Sequence, residues 1–185
     1  MGPVRGGATH AHERQRVFVA LWPPPETRER LESLGGRLHA QAPRARRIRG
    51  ERLHLTLAFI GALETPRAVE VARRLPSLGA QPFDWALDHV GYFARARVVW
   101  AGGPTPPPLE ALAARVRGLL DALAIAYDRK PFVPHVTLLR DVTSWSPGTL
   151  QLLRPIPWRC GQPMLVRSEP DGRYLNLLAD QTDTI

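Results

Sequence analysis

The sequence predicts an α+β fold built from two similar halves. Strand-like and helix-like segments follow one another in the order strand, helix, strand, helix, two strands, helix, strand and a final hairpin. One short pattern, a histidine, an apolar residue, a threonine and a leucine, occurs at residues 54–57 and again at residues 135–138, 81 positions later (135 − 54). That separation is too long for a local repeat and fits equivalent strands in two halves of one domain.

The first strand is predicted at residues 17–21 and ends at the three prolines of residues 23–25. A helix should follow from Glu26 to about His39, since a proline at a helix entrance loses no hydrogen bond. Its apolar residues recur at helical spacing, at Leu31, Leu34 and Leu38.

The first motif lies in the stretch RLHLTLAFIG, residues 52–61. The odd positions in the range 53–59 are all apolar, so a strand would turn them to a core. The same strand would present His54 and Thr56 together on its opposite face.

A second helix is predicted after this strand, with Thr65 as its N-cap, Pro66 at its first helical position and an end near Pro76. Two strands come next, at residues 83–93 and 97–102, and the short segment between them favours a hairpin.

The third helix has the clearest periodicity in the chain, and it extends over residues 109–126. It leads into the second motif strand, FVPHVTLLRD at residues 132–141, where His135 and Thr137 again occupy alternate positions. The helical stripe consists of Leu109, Leu112, Val116, Leu119, Leu120 and Leu123.

A hairpin is predicted to close the chain, with strands PMLVRS and RYLNLLA and a turn at Asp171 and Gly172. Each motif strand follows a helix that itself follows a strand. Two βαβ-like lobes could therefore face each other across a cleft, each contributing one histidine and one threonine.

The composition is that of an ordinary globular protein, with 44% hydrophobic and 23% charged residues. We expect a flexible leader at residues 1–16 and one domain at residues 17–185. No apolar run approaches the roughly 18 residues of a membrane span, so we expect no membrane partner.

The single cysteine, Cys160, is compatible with a reducing cytoplasm. A compact monomer is the simplest expectation.

The charge balance favours an anionic partner. The formal net charge is +8, and every positive residue except Lys130 is an arginine. Arginine's planar fork suits phosphate oxygens, and a dense group of arginines precedes the first motif strand and could guide RNA inward. This group consists of Arg44, Arg46, Arg47, Arg49 and Arg52. A solvated basic loop is the alternative.

Two imidazoles that meet across a cleft can divide acid and base work. With an ordinary pKa near 6.5, one can be neutral while the other is protonated around pH 7. A threonine beside each histidine can donate its hydroxyl to non-bridging phosphate oxygens as phosphorus becomes five-coordinate. This arrangement suits phosphoryl chemistry and requires no metal.

With these motifs the chain resembles the two-histidine (2H) phosphoesterases, and among them the bacterial and archaeal RNA 2′,3′-cyclic phosphodiesterases, also called 2′-5′ RNA ligases. The resemblance covers nearly the whole chain. It rests on the segments FVAL, LHLTLAFIG, GYFARARVVWAG, FVPHVTLLR and DGRYLNLL.

The resemblance implies a bilobal LigT-like fold, with two pseudo-symmetric antiparallel-sheet lobes and outer helices around a central cleft. It implies metal-independent hydrolysis of an RNA 2′,3′-cyclic phosphate end to a 2′-phosphate, with ATP-independent 2′-5′ ligation as the reverse reaction and no cofactor. By analogy, His135 is the general base and His54 the general acid, although the sequence fits the opposite assignment equally well. Thr56, Thr137 and Arg140 are then the phosphate-binding residues.

Arg140 presents a geometric difficulty. It lies five positions after His135, so a regular strand would turn it to the opposite face, and the strand must end or bulge near Leu139 if Arg140 is to reach the cleft. Phe18 and Phe59 offer surfaces on which a base could stack, although an aromatic residue in a strand more often belongs to the core.

Three rival uses of the motifs are open. A zinc site would employ His54 and His135, but neither motif has metal-ligand spacing and no third ligand is evident. A non-catalytic nucleotide- or RNA-binding module would use the same cleft without turnover. A nucleotidyl-transfer RNA ligase would need a lysine motif, and Lys130 is the only lysine. The other histidines, His10, His12, His39 and His89, have no paired threonine.

Overall fold

A computed structural model describes residues 13–146 and 149–177 of the chain. The strands are β1 (Arg14–Leu21), β2 (Arg46–Arg47), β3 (Leu55–Glu64), β4 (Phe83–Phe93), β5 (Val98–Gly102), β6 (His135–Arg140), β7 (Leu150–Cys160), β8 (Met164–Ser168) and β9 (Tyr174–Asn176). The α-helices are α1 (Pro25–Gln41), α2 (Thr65–Arg74) and α3 (Pro107–Ala122), and short 3₁₀ turns lie at Gly50–Arg52 and Leu75–Leu78.

The described strands form one sheet with two halves in mirrored order. The order is β7-β4-β5-β6-β3-β1-β8-β9, with β2 paired to the end of β6. The strand pairs are antiparallel, and β3 and β6, the two motif strands, are neighbours at the centre. The α+β prediction is confirmed, but the expected βαβ-like lobes contain antiparallel strands on either side of their helices.

The two motif strands pair with each other at a single described residue pair. Leu55 of β3 pairs with Val136 of β6, and each of these residues directly follows its motif histidine. Since β5 and β1 flank this centre on opposite sides, the halves are related by an approximate two-fold operation about the Leu55–Val136 pair.

The helices lock the halves together on one face of the sheet. Helix α1 follows β1, in the half that contains β3, β1, β8 and β9. It packs against β6 and β7 of the other half, where the Thr27 hydroxyl donates to the Pro157 carbonyl at 2.7 Å. Helix α3 leaves the second half and packs against β3. All three helices contribute to one apolar core with the sheet residues that face them. We call the opposite side of the sheet the cleft face.

Several predicted boundaries differ from the structure. Strand β1 begins at Arg14, so it includes residues 14–16 of the predicted leader, while residues 1–12 lie outside the described residues. Helix α3 ends at Ala122 rather than Ala126. The N-cap of α2 is Glu64, because the Thr65 hydroxyl instead donates to the Glu13 carbonyl.

Strand β7 was not predicted from the sequence. Pro155 and Pro157 interrupt its alternation, and proline lacks the N–H that a central strand needs. The structure places β7 at the end of the sheet beside β4, where an unpaired edge tolerates both prolines. None of the helices in the described part of the chain is long and apolar enough to cross a membrane.

Candidate active site

The two motif histidines are held in the same way. His54 Nδ1 lies 2.7 Å from the carbonyl of Arg52, and His135 Nδ1 lies 2.7 Å from the carbonyl of Val133, in each case two residues earlier. A carbonyl can only accept, so both Nδ1 atoms carry the proton that is shared in these bonds. Nε2 of each ring takes no part in these bonds.

The pairing of β3 with β6 brings the two motifs side by side. Because Leu55 and Val136 are directly opposite, the antiparallel register sets His54 beside Thr137 and Thr56 beside His135. All four side chains alternate with buried neighbours and therefore point to the cleft face. Thr56 and His135 also line one pocket together.

A β-bulge turns Arg140 onto the cleft face, as its predicted role requires. The pairing of β5 with β6 passes from Val99–Leu139 to Trp100–Thr137, so Leu138 has no partner in β5. Leu138 and Leu139 are both buried, which shifts the alternation by one residue. Arg140 acts electrostatically on both His54 and His135.

An equivalent bulge lies in β3. There Leu57 has no partner in β1, and Leu57 and Ala58 are buried in succession. The expectation that Phe59 shares the core face of this strand is therefore wrong, because the extra residue reverses the alternation. Phe59 is 37% exposed and lines the pocket beside Thr56 and His135, while the Arg16 guanidinium lies 5.0 Å from its ring centre.

Three aromatic rings enclose His54. Phe18 lies 4.9 Å from it, Trp22 stacks on it at 5.3 Å, and Tyr174 meets it edge-on at 5.3 Å, all between ring centres. Phe18 is 4% exposed. It supports the imidazole and has little surface left for a base, in contrast to the stacking role predicted for it.

Two aromatic rings flank His135 in the other half. The Phe93 ring lies 5.0 Å from it at an interplanar angle of 88°, and the Trp100 ring lies 6.0 Å from it at 62°, both between ring centres. Gly91 and Gly102 make room for the Trp100 indole, since a Cβ at either position would collide with it. This flat packing holds Trp100 against the sheet next to the histidine.

Burial lowers the pKa of both imidazoles. The pKa of His54 is lowered to about 4, mainly by desolvation, with smaller contributions from the charges of Arg140, His135 and Arg52, while the hydrogen bond to the Arg52 carbonyl opposes the shift. Desolvation also lowers the pKa of His135, with Arg140 adding to the shift and the Val133 carbonyl opposing it. Both rings are therefore neutral at pH 7 in the free protein.

An apolar pocket of about 530 Å³ opens beside His135. Its walls include the rings of Phe59, Phe93 and Phe132, and Val133 is 47% exposed on its edge. A pocket of this size and apolar character has room for a flat ring such as a nucleobase.

Comparison with known proteins agrees with this geometry. Residues 21–100 match the family described as LigT like Phosphoesterase. The chain is 33% identical over 132 residues to the RNA 2′,3′-cyclic phosphodiesterase of Escherichia coli K12, which covers 71% of this chain and 74% of that protein. The chain belongs to the LigT-like phosphoesterase family.

Two further relatives extend the match over most of the chain. The RNA 2′,3′-cyclic phosphodiesterase of Thermus thermophilus is 34% identical over 182 residues, 88% of this chain and 87% of that protein. The crystal structure of E. coli LigT complexed with 3′-AMP has a TM-score of 0.74 at 30% identity, covering 89% of this chain and 96% of that one. The LigT-like α+β fold that the family resemblance implies is thereby confirmed.

The remaining described histidines are not part of a His-x-Thr pair, although His89 lies two strands from His135 and shares the Trp100 ring with it. His39 contacts the Ala45 carbonyl near the end of α1, and His89 contacts Asp88 and the Trp100 ring. His10 and His12 lie outside the described residues. Across the part of the chain that the structure describes, no three His, Cys, Asp or Glu side chains form a cluster that could hold a metal ion.

Sequence reasoning missed four aromatic residues of the LigT-like site, namely Trp22, Phe93, Trp100 and Tyr174. Each lies in or beside a segment that carries the family resemblance, but an aromatic residue in a strand is usually core, so its type alone gave no signal. The sequence signal that could have found Trp100 is the pair of glycines, Gly91 and Gly102, on either side of it.

Proposed function

We propose that the protein hydrolyses RNA 2′,3′-cyclic phosphate ends to 2′-phosphates by acid-base catalysis with His54 and His135. The supporting observation is that both imidazoles are held through Nδ1 by the same backbone contact, beside each other's threonine, with Arg140 acting on both. The RNA 2′,3′-cyclic phosphodiesterases among its relatives support the substrate class.

In the proposed step, His135 Nε2 takes a proton from water as the water oxygen attacks phosphorus. The bond between phosphorus and O3′ breaks, and protonated His54 Nε2 supplies the proton to O3′. One water is consumed, one P–O bond forms and one breaks, so the product is a 2′-phosphate beside a free 3′-hydroxyl. The two histidines end with their protonation states exchanged, and solvent restores them.

The neighbouring side chains stabilise the charge that develops on the phosphoryl oxygens. Thr56 and Thr137 can each donate a hydroxyl, and Arg140 can place its fixed cation at the same centre. Since β3 and β6 carry or adjoin all three residues and both histidines, the phosphate would be held over the line where the two halves meet.

Because both histidine pKa values are lowered in the free protein, substrate binding must raise the pKa of the histidine that acts as the acid. In the free protein both histidines are neutral at pH 7, which suits the base and leaves the acid without its proton. A bound phosphate anion favours an adjacent imidazolium and raises its pKa. Substrate binding would thus prepare the acid, and the rate should show a bell-shaped pH dependence.

Catalysis would be independent of metal, and the reverse 2′-5′ ligation would need no ATP because the cyclic phosphate already carries the activated bond. One chain supplies both histidines, so a monomer could be active. The buried free thiol of Cys160, whose pKa is raised by burial to about 12, fits a structural residue in a cytoplasmic protein.

The experiment that tests this proposal uses a defined oligonucleotide ending in a 2′,3′-cyclic phosphate, incubated with the protein and a chelator. A 2′-phosphate product is expected. A 3′-phosphate would reverse the leaving group, loss of activity in chelator would indicate zinc, and binding without turnover would indicate a non-catalytic RNA-binding module.

A further inference from the structure

A second pocket, rich in arginine, adjoins the candidate active site on the His54 side. Its volume is about 680 Å³. We call it the arginine groove, and it is lined by Arg46, Arg47, Arg49, Glu51, Arg52, Asp171, Gly172, Arg173, Tyr174 and Leu175. Five arginines face two acidic residues, so the groove is strongly positive. It is formed by residues 46–52, which include β2 and the 3₁₀ turn before β3, and by residues 171–175, which include the β8–β9 turn and the start of β9.

Two groove residues contact His54 directly. The Arg52 carbonyl accepts from His54 Nδ1, and the Tyr174 ring meets the imidazole edge-on. The Arg52 guanidinium lies 4.8 Å from the centre of the Tyr174 ring, and its Nη2 donates to the Tyr174 hydroxyl at 3.3 Å. The groove is thus continuous with the wall of the active site.

Some of the groove arginines form ion pairs with acidic side chains of the protein, and others do not. Arg46 pairs with Asp141 at 3.3 Å, and Arg173 pairs with Asp171 at 2.6 Å. Arg47 and Arg49 are exposed, and within the described residues no hydrogen bond or ion pair holds either guanidinium. These two side chains keep their donors available to an external anion.

We infer that the arginine groove binds the phosphates of the RNA strand on the 5′ side of the cyclic end. This rests on the proposed function and deepens it, since it makes an RNA strand rather than a mononucleotide the preferred substrate. Single-stranded nucleic acids are typically held by positive grooves that follow their backbone. The apolar pocket beside His135 has the opposite character and suits the terminal base.

The two pockets together would fix the direction of the ribose. In a ribonucleotide the base is bonded to C1′, next to C2′. The 5′ strand is attached through C5′ to C4′, next to C3′. A base beside His135 and a strand beside His54 therefore turn O2′ toward His135 and O3′ toward His54. His54 then protonates O3′, and the asymmetry of the pockets selects the 2′-phosphate product.

The test compares two substrates, adenosine 2′,3′-cyclic monophosphate and an oligonucleotide ending in a 2′,3′-cyclic phosphate. The double variant Arg47→Gln, Arg49→Gln should lower kcat/KM for the oligonucleotide by about tenfold at low salt and leave the mononucleotide unchanged. The slope of log kcat/KM against log salt should flatten by about 0.7 for each phosphate that the variant no longer binds, for the oligonucleotide alone.

A matched control removes the same charge elsewhere. Arg30 on α1 and Arg115 on α3 are exposed and lie outside both pockets. The variant Arg30→Gln, Arg115→Gln should leave both substrates unchanged. Equal reductions in the two double variants would mean that net charge alone attracts RNA, and the groove would be rejected.

A binding measurement separates this inference from the proposed function. Fluorescence anisotropy with a labelled single-stranded RNA carrying an ordinary 3′-hydroxyl needs no turnover. Weaker binding in the groove variant alone supports the groove, even where neither cyclic substrate is hydrolysed and the proposed function fails. The opposite result is a groove variant that hydrolyses both substrates with the kcat/KM and salt slope of the parent chain and binds RNA as tightly as the parent chain does. That result would refute the groove and leave the proposed function intact.

Discussion

The half that carries His54 and the half that carries His135 share their backbone design and differ in the side chains around it. In both, a histidine donates Nδ1 to the carbonyl two residues earlier, a threonine follows two residues later, and a bulge comes next. The corresponding positions are separated by 81 residues in every case, from Arg52 and Val133 to Phe59 and Arg140.

The halves differ in the residues that flank the motifs, and under the proposed function this difference matches the asymmetry of a nucleotide. A phosphorus atom undergoing in-line displacement has an attacking and a leaving oxygen on opposite sides, and two equivalent imidazoles suit this need. A nucleotide has a base on one side and a phosphate chain on the other. Arg52 lines the arginine groove and its counterpart Val133 lines the apolar pocket. Arg140 likewise carries a charge where its counterpart Phe59 carries an apolar ring.

The largest expected effect tests whether the halves are equivalent in catalysis. His54→Asn and His135→Asn should each lower kcat by about 10²- to 10⁴-fold, because asparagine can keep the Nδ1-type donor to the backbone while Nε2 is removed. The double variant should be little worse than either single one, since the two residues act as a unit. Steady-state kinetics on the cyclic mononucleotide measures this.

The control for the histidine variants is His39→Gln, which keeps a donor toward the Ala45 carbonyl outside the site and should retain full activity. Circular dichroism and thermal unfolding would show that each variant is folded. A folded His135→Asn protein with nearly normal kcat would restrict catalysis to one half and refute the paired mechanism.

The threonines test whether the two halves share the stabilisation of the phosphate. Thr56→Val and Thr137→Val should each lower kcat/KM by roughly 10- to 10³-fold, because each change removes one donor to the transition state and conserves the side chain's shape. Thr56→Ser and Thr137→Ser keep the hydroxyl and should recover most of the activity. Equal reductions in the serine and valine variants would point to packing as the cause.

Sequence patterns predicted the features that depend on local periodicity and residue type. The two motif strands, the three helices and the β4–β5 and β8–β9 hairpins all have strong local signals. The placement of the motifs on one sheet face follows from alternation and from the family resemblance. Those signals were sufficient to find His54, Thr56, His135 and Thr137, which the structure brings together.

The remaining features depend on tertiary contacts. Which residue lies in a bulge is decided by the register with β1 or β5, so the sequence could state the need for a bulge before Arg140 but could not reveal the one before Phe59. The burial of Phe18 beneath His54 likewise depends on β1 lying beside β3. Strand β7 depends on its position at the edge of the sheet.

The pH dependence of stability distinguishes the environments of the two histidines. The pKa of His54 is about 4 in the folded chain and about 6.5 when unfolded, so below pH 6.5 the unfolded chain binds a proton that the folded chain does not. The free energy of unfolding should thus fall by on the order of 3 kcal/mol from this residue as the pH drops from 6.5 to 4.

Denaturant unfolding of His54→Asn at pH 7 and pH 4 measures this contribution as the difference from the parent chain. His135→Asn should act in the same direction and by less, because fewer rings enclose His135. An unchanged pH dependence in His54→Asn would show that this ring is protonated as easily in the folded chain as in the unfolded one.

The smallest expected effect concerns Phe59, the counterpart of Arg140. If the exposed ring stacks with the terminal base, Phe59→Ala should raise KM for adenosine 2′,3′-cyclic monophosphate by about five- to tenfold and leave kcat nearly unchanged, because stacking favours substrate and transition state alike. Leu153→Ala removes another exposed apolar side chain, one that lies outside the pocket, and should change neither constant. A fall in kcat instead would mean that Phe59, like Arg140, acts at the phosphate. The difference in charge between the two halves would then be confined to the arginine groove and the apolar pocket.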